Sequence, residues 1–156
     1  MKTQSMWKET VLDAESARRR RGDHIIILEK YVPWEDLMVW LGRDAYYIVY
    51  PASFGGWLLK CIPPSARCPG QRVPLPAAWG GLRNEELQEV SGVSGVDFCH
   101  PGRYIARAAS KDAAIKFAEE AYKQQTLDER RLHALKLAAT IKNVEAVRWL
   151  HALFAG

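Results

Sequence analysis

Long hydrophobic runs are missing from this chain of 156 residues. No apolar stretch approaches the roughly 18 to 20 residues that a membrane-spanning helix needs, and the opening residues, Met1 to Glu9, lack the apolar segment of a signal peptide. We therefore expect a soluble, cytoplasmic protein without a membrane partner. Hydrophobic residues still make up 48% of the chain, which is enough for the core of one compact domain.

Cysteine is scarce and poorly spaced for cross-linking. The three cysteines, Cys61, Cys68 and Cys99, are an odd number that fits neither a disulfide framework nor a CxxC zinc pattern. A zinc site made from them with His100 is disfavoured, because the six residues between Cys61 and Cys68 exceed the usual ligand spacing. The sequence therefore predicts that all three cysteines are free thiols.

A strong excess of one charge is also lacking. The net charge of +4 arises from 22 Lys and Arg against 18 Asp and Glu, a balance that permits contact with phosphates without requiring it. The densest cluster, Arg18 to Arg21 before Gly22, is typical of a solvated helix end whose cations complement the helix dipole.

Catalytic motifs are missing as well. The chain has no GxSxG elbow, P-loop, GxGxxG fingerprint or HExxH helix, and Ser91 to Gly95 is better interpreted as a helix end and turn. Metal-dependent phosphoryl chemistry needs Asp and His side chains gathered around a cation. The four histidines are scattered, at positions 24, 100, 133 and 151. We therefore predict no catalytic residues, no metal ligands and no cofactor in this chain.

Periodicity predicts alternating helices and short strands. The helices are expected at 5–20, 34–41, 85–90, 112–125, 128–141 and 144–154, and the strands at 24–28, 45–50, 56–62, 96–100 and 104–106. The second and third strands should form a hairpin. The first strand has almost no polar alternation, which favours a central place in the sheet. Five of the eight prolines fall between 63 and 76, predicting a surface loop.

Polar residues and glycines mark the expected helix ends. Asn84, Ser110 and Asn143 are placed to cap three of the helices at their N-termini, and Gly42 and Gly92 to end two of them.

The predicted fold class is α+β, with a mixed sheet of about five strands covered by helices and a C-terminal helical pair. The expected divisions are an N-terminal helix at 1–22, an α+β domain at 23–125, and a helical hairpin at 126–156 packed on that domain. The hairpin's apolar residues should be buried there or against a partner: Leu132, Leu135, Val147, Leu150 and Phe154.

Four linked motifs occur in an order that resembles the C-terminal region of the Myg (melanocyte proliferating gene) family. They are YVPW at 31–34, the segment 50–57 with its Gly55-Gly56 pair, PLPAAWGGLRNEEL at 74–87, and SGVSGVDFCH at 91–100. The resemblance covers about 24–123. It implies a relative of the DHH phosphoesterases, in which an N-terminal domain holds manganese and the C-terminal part closes over the substrate. The motifs of that metal-binding half do not occur in this sequence.

The same resemblance implies a substrate-binding face made of nine residues: Gly55, Gly56, Trp57, Arg83, His100, Arg103, Tyr104, Arg107 and Lys111. Glycines allow backbone N–H groups to approach phosphate, an arginine can form paired bonds to it, and a tryptophan can stack on a base or simply pack in the core. The chain departs from the family where two glycines are replaced by Ala106 and Arg107. That change reshapes the expected pocket.

Three functions remain open from the sequence. The favoured hypothesis is a stand-alone module that binds RNA or another phosphate-bearing ligand and is not catalytic alone. The second is an interaction subunit that docks on a separate DHH catalytic chain, where the manganese would reside, or that forms a homodimer. The third is an independent metal-dependent hydrolase.

Overall fold

The computed structural model describes residues 2–125, 127–141 and Leu153. Helices α1 to α4 span, in order, Lys2–Arg21, Asn84–Ser91, Lys111–Gln124 and Leu127–Ile141. Strands β1 to β5 span Ile25–Ile27, Tyr47–Pro51, Trp57–Cys61, Val96–Cys99 and Ile105–Ala108. Two 3₁₀ helices lie at Trp34–Trp40 and Ala77–Trp79. None of these helices has the length and hydrophobicity needed to span a membrane.

The five strands form one mixed sheet in the order β1-β2-β3-β5-β4. β1 runs parallel to β2, and the remaining pairs are antiparallel. The predicted α+β class, the strand number and the β2–β3 hairpin are confirmed. The central position predicted for β1 is wrong, because β1 lies at an edge. Its residues are apolar since both faces are covered, with Ile25 and Ile26 packed into different cores.

Two hydrophobic cores lie on opposite faces of the sheet. On one face α3 packs its apolar side, including Phe117, against all five strands, and Phe117 stacks on Trp79 with ring centroids 4.4 Å apart. On the other face α1 and the first 3₁₀ helix cover β1 and β2, with Trp34 and Ile48 fully buried. This second core covers fewer strands than the core under α3.

Local helix signals were confirmed in part. Gly92 ends α2 in the left-handed conformation, and the Ser110 side chain caps α3 by accepting a hydrogen bond from the Ala113 N–H at 3.2 Å. The cap predicted at Asn84 is wrong. Arg83 occupies the cap position of α2 without a side-chain bond, because its extended backbone bridges Phe98 of β4 and the helix begins only after it.

The segment after Pro33 is a 3₁₀ helix that ends with Leu41 at its C-cap, one residue before the expected Gly42. Gly42 is needed for close packing instead. A Cβ atom there would lie 2.7 Å from Nη2 of Arg18 and 2.9 Å from Oε2 of Glu15.

Arg18 contradicts the interpretation of Arg18 to Arg21 as a solvated helix end. Its side chain is only 2% exposed and forms ion pairs with Glu15 at 2.6 Å and Asp44 at 2.9 Å. Arg19 and Arg20 do lie in solvent. The cluster is therefore partly a buried structural element.

The helix predicted at 128–141 is confirmed as α4, while the helix predicted at 144–154 and its Asn143 cap lie outside the described residues, apart from Leu153. α4 meets the rest of the molecule where the Arg130 guanidinium lies 4.9 Å from the centre of the Tyr122 ring. Leu132 and Leu135 are not buried on the described domain, since they are 54% and 40% exposed, and their burial against a partner stays a prediction. The three-part division of the chain stays a prediction.

Candidate ligand-binding face

Part of one sheet face is left uncovered by helices in the described structure. Register places Leu58 opposite Arg107, Lys60 opposite Ile105, and Phe98 opposite Arg107, so these five side chains share a face. On this side of the sheet α1 covers only β1 and β2. The core beneath α1 ends at Leu58 of β3, which packs against its edge. We call Leu58, Lys60, Phe98, Ile105 and Arg107 the open face.

Arginine, lysine and aromatic groups converge on the open face. The Arg83 guanidinium lies 5.0 Å from the centre of the Phe98 ring, and Arg83 forms no ion pair with the described residues. Lys60 Nζ lies 3.8 Å from a Glu35 carboxylate oxygen. Arg107 pairs with Asp97. Glu35 and Asp97 offset two of the three cations, so Arg83 supplies most of the surplus positive charge.

The glycine turn holds Arg107 in place. Arg107 Nη2 donates to the Gly55 carbonyl oxygen at 2.8 Å. Gly55 and Gly56 have φ of +94° and +74°, and a Cβ atom on Gly56 would lie 2.6 Å from Arg107 Nη2 and 2.7 Å from the Ala108 carbonyl oxygen. Glycine is required here because the backbone is left-handed and Arg107 approaches closely.

His100 extends the aromatic row beyond the end of β4. Its ring lies 6.3 Å from Phe98 and 4.7 Å from Tyr104, measured between ring centroids. The Gly102 N–H donates to His100 Nδ1 at 2.8 Å. Because Nδ1 accepts, the neutral ring carries its proton on Nε2, which is then a donor for an incoming oxygen atom.

Three of the nine predicted site residues lie away from this face. Trp57 alternates to the other face and packs against the α3 core opposite Ala108. Arg103 turns to the proline-rich loop, where its Nε donates to the Leu75 carbonyl oxygen at 2.7 Å. Lys111 forms an ion pair with Glu29. The other six, Gly55, Gly56, Arg83, His100, Tyr104 and Arg107, lie on or beside the open face.

The cysteines and acidic groups offer no ready catalytic centre among the described residues. Cys61, Cys68 and Cys99 are free, as predicted, and burial raises the pKa of Cys99 to about 11 and that of Cys61 further. Both buried thiols are therefore protonated at neutral pH. Within the same described ranges, no three His, Cys, Asp or Glu side chains are grouped to hold a metal ion.

Comparison with known proteins identifies the family. The model of the MYG1 exonuclease family, described as an uncharacterised protein family (UPF0160), matches residues 1–122. The chain belongs to the MYG1 family. The resemblance drawn from the four motifs is confirmed at this level. No solved structure matches the chain.

Several MYG1 relatives share part of their length with this chain. The human MYG1 exonuclease is 26% identical over 111 residues, which cover 67% of this chain and 30% of the relative. The bovine MYG1 exonuclease is 28% identical over 134 residues, covering 78% and 35%. The MYG1 protein of Chlamydia pneumoniae is 34% identical over 88 residues, covering 54% and 30%. The chain thus spans about a third of the relatives it matches.

Ala106 and Arg107, where the sequence resemblance predicts a departure from the family's glycines, lie on opposite faces of the sheet. Ala106 is fully buried under α3, so its methyl group fills core space. Arg107 projects onto the open face and takes the Gly55 carbonyl and Asp97 as partners. Of the two residues, only Arg107 contributes to the open face.

Sequence reasoning missed Lys60 and Phe98. For Lys60 the signal was present in alternation: within Trp57–Cys61, the residues at 59 and 61 are buried, while Lys60 between them remains partly exposed. For Phe98 it was not, because a register irregularity between Val96 and Phe98 breaks the alternation of β4. Assigning strand faces first would have separated Lys60 from the core, but it would have placed Phe98 beside the buried Val96.

Proposed function

We propose that this MYG1-family chain corresponds to the C-terminal, substrate-engaging part of a DHH-type phosphoesterase, and that it binds single-stranded RNA without being catalytic on its own. The observation that carries the proposal is the open face, where Arg83 lies over the partly exposed Phe98 ring and Arg107 and Lys60 project from the neighbouring strands. Sheet faces with cations beside aromatic rings suit single strands, whose phosphates and unstacked bases are both accessible.

Each side chain has a defined task in this proposal. Arg83 contacts a phosphate group while its guanidinium keeps its place over Phe98. A base stacks beside Phe98 and Tyr104, and His100 Nε2 donates to the sugar or phosphate. Arg107 is held by Asp97 and Gly55, which fixes the direction of its charge. The human and bovine relatives, among others, carry the name exonuclease, a class of enzyme that acts on nucleic acid.

The test is a fluorescence-anisotropy titration of a labelled single-stranded RNA at low salt. Arg83→Ala should weaken binding about tenfold and lower the slope of log affinity against log salt by about 1. Arg20→Ala is the matched control, since it removes the same charge from an exposed site at the end of α1. Equal losses in the two variants, or no binding by the unaltered chain, would rule out the open face as an RNA site.

A second candidate function is docking on a separate DHH-type chain that holds manganese. It is favoured by the exposed apolar side chains of α4, which the described domain leaves uncovered. The docking surface would include the exposed Leu132 and Leu135 of α4.

Co-expression with the metal-binding portion of a MYG1 relative tests this candidate. The two chains should co-purify, and deletion of residues 129–156 should abolish the association while the remainder stays in solution. Separate elution of the two full chains would contradict docking. An unchanged monomeric mass with and without residues 129–156 would contradict homodimer formation through that segment.

A further inference from the structure

The tip of the β2–β3 hairpin presents a phenylalanine to solvent. Phe54 is 99% exposed, more than any other large apolar side chain in the described part of the protein, and it belongs to neither hydrophobic core. The family resemblance implied a stacking role for Trp57 in the same hairpin, but Trp57 packs against the core under α3. Phe54 is therefore the aromatic side chain that the hairpin tip offers to a ligand.

Hydrogen bonds hold this tip in a defined shape. The Ala52 N–H donates to the Gly56 carbonyl oxygen at 2.9 Å, and the Gly55 N–H donates to the Ala52 carbonyl oxygen at 3.2 Å. Beyond these two bonds the strands pair in register, starting with Pro51 opposite Trp57. Phe54 thus stands on a closed turn with a fixed backbone, so a ligand that covers its ring does not have to order a loose loop.

Arg107 joins the hairpin tip to the open face. Its side chain projects onto that face, and its Nη2 donates at 2.8 Å to the carbonyl oxygen of Gly55, the residue after Phe54. Phe98 lies opposite Arg107 in the neighbouring strand β4. Because β5 lies between β3 and β4, Phe98 and the hairpin tip flank Arg107 from opposite sides, with adjacent strands about 4.8 Å apart.

We propose that Phe54 is a second stacking residue for single-stranded RNA, which receives a base beyond the one that stacks beside Phe98. This inference rests on the RNA-binding function proposed above and extends that site from the open face to the hairpin tip. The bound strand runs across β4 and β5 toward the tip, with the Arg107 guanidinium between its two stacked bases. An exposed ring suits this task because every base has a flat face that can stack on it.

Fluorescence anisotropy with a labelled single-stranded RNA of about eight nucleotides at low salt tests the proposal. Phe54→Ala should raise the Kd about tenfold, because alanine removes the stacking face. It should leave the slope of log affinity against log salt unchanged, because no charge is lost, in contrast to the lower slope expected for Arg83→Ala. Phe54→Tyr keeps an aromatic ring and should bind within about twofold of the unaltered chain.

Val39→Ala is the matched control, since it truncates another apolar side chain, 82% exposed, on the first 3₁₀ helix, and it should leave the Kd unchanged. If Phe54→Ala binds as tightly as the unaltered chain while Arg83→Ala binds more weakly, the role of Phe54 is overturned and the RNA-binding function stands. A loss in Phe54→Ala that Phe54→Tyr does not restore, or an equal loss in Val39→Ala, would also overturn it. Failure of the unaltered chain to bind RNA would refute the proposed function, and this extension with it.

Discussion

Arg18 brings a guanidinium into the interior of the protein, where it joins three parts of the chain. It donates to Glu15 within its own helix, to the Asp44 carboxylate, and to the Asp23 carbonyl oxygen at 2.8 Å. Glu15 is itself only 5% exposed. Loss of one member of such a buried group leaves the other charge without its main partner, which costs more than the group contributes when intact.

Arg18→Met should therefore lower the free energy of unfolding by about 3 to 5 kcal/mol. Arg20→Met, which removes an exposed arginine from the same helix turn, should change it by less than about 0.5 kcal/mol. Urea denaturation of the two variants and the unaltered chain gives the comparison. A similar midpoint for both variants would mean that the buried ion pairs contribute little.

Glu15 and Asp44 also predict how stability depends on pH. Burial alone would raise the pKa of Glu15, but hydrogen bonds from Arg18 and Arg19 outweigh it and hold that pKa below its usual value. The hydrogen bond from Arg18 is the main reason that the pKa of Asp44 is lowered. A carboxylate with a lowered folded-state pKa stabilises the fold above its unfolded pKa and loses that contribution as pH falls through the folded value.

The free energy of unfolding should accordingly fall as pH decreases from about 5 toward 2. Glu15→Gln should make this decline shallower, while Glu119→Gln, at an exposed site on α3, should keep the slope of the unaltered chain. Urea denaturation at a series of pH values measures the slopes. Identical slopes in both variants would show that Glu15 does not contribute to the acid sensitivity.

Residue burial was the hardest feature to predict from sequence. Arg18 pairs with the buried Glu15 three residues before it, but its second carboxylate partner, Asp44, lies 26 residues along the chain, and local charge patterns carry no information about that contact. Arg83 and His100 were proposed because they lie in motifs that resemble those of a family, and Arg107 because it departs from the pattern that follows those motifs. The contact between Arg83 and Phe98 depends on a strand pairing that only the fold reveals.

Elements with local signals were predicted well, and elements positioned by tertiary contacts were not. Ser110 caps α3 by accepting a hydrogen bond from the Ala113 N–H, three residues along the chain. Both partners are close in sequence, so the cap can be predicted from the sequence alone. β1 was assigned to the centre of the sheet because its residues are apolar without alternation. An edge strand that is covered on both faces has the same composition, so composition does not distinguish the two positions. Asn84 failed as a cap because Arg83 is held by β4.

At the element scale, the N-terminus of α3 should respond to loss of its cap. Ser110→Ala should lower the free energy of unfolding by about 1 kcal/mol, because the Ala113 N–H loses its acceptor. Ser94→Ala, at an exposed position in the turn before β4, serves as control and should have little effect. Thermal and urea unfolding of both variants measure the difference, and equal stability would indicate that solvent replaces the cap.

For the molecule as a whole, both cores are complete within the segment from Val11 to Ala121. α4 adds the Arg130 contact with Tyr122 and the burial of Ala138. Deletion of residues 127–156 should consequently leave a chain that unfolds cooperatively, with a modest loss of stability from the cation–π contact of about 0.5 to 1 kcal/mol. Far-UV circular dichroism during urea denaturation tests this, and a gradual, non-cooperative transition would contradict it.

The position of β5 between β3 and β4 governs the order in which the protein can assemble during synthesis. β5 is the last strand to leave the ribosome, yet it is the one that joins the β2–β3 hairpin to β4. Until Ile105–Ala108 emerges, β3 and β4 each have an edge without its final neighbour. Such non-local pairing is slow and leaves strand edges open to association. Nascent chains stalled before Ile105 are thus the form of this protein most in need of a chaperone.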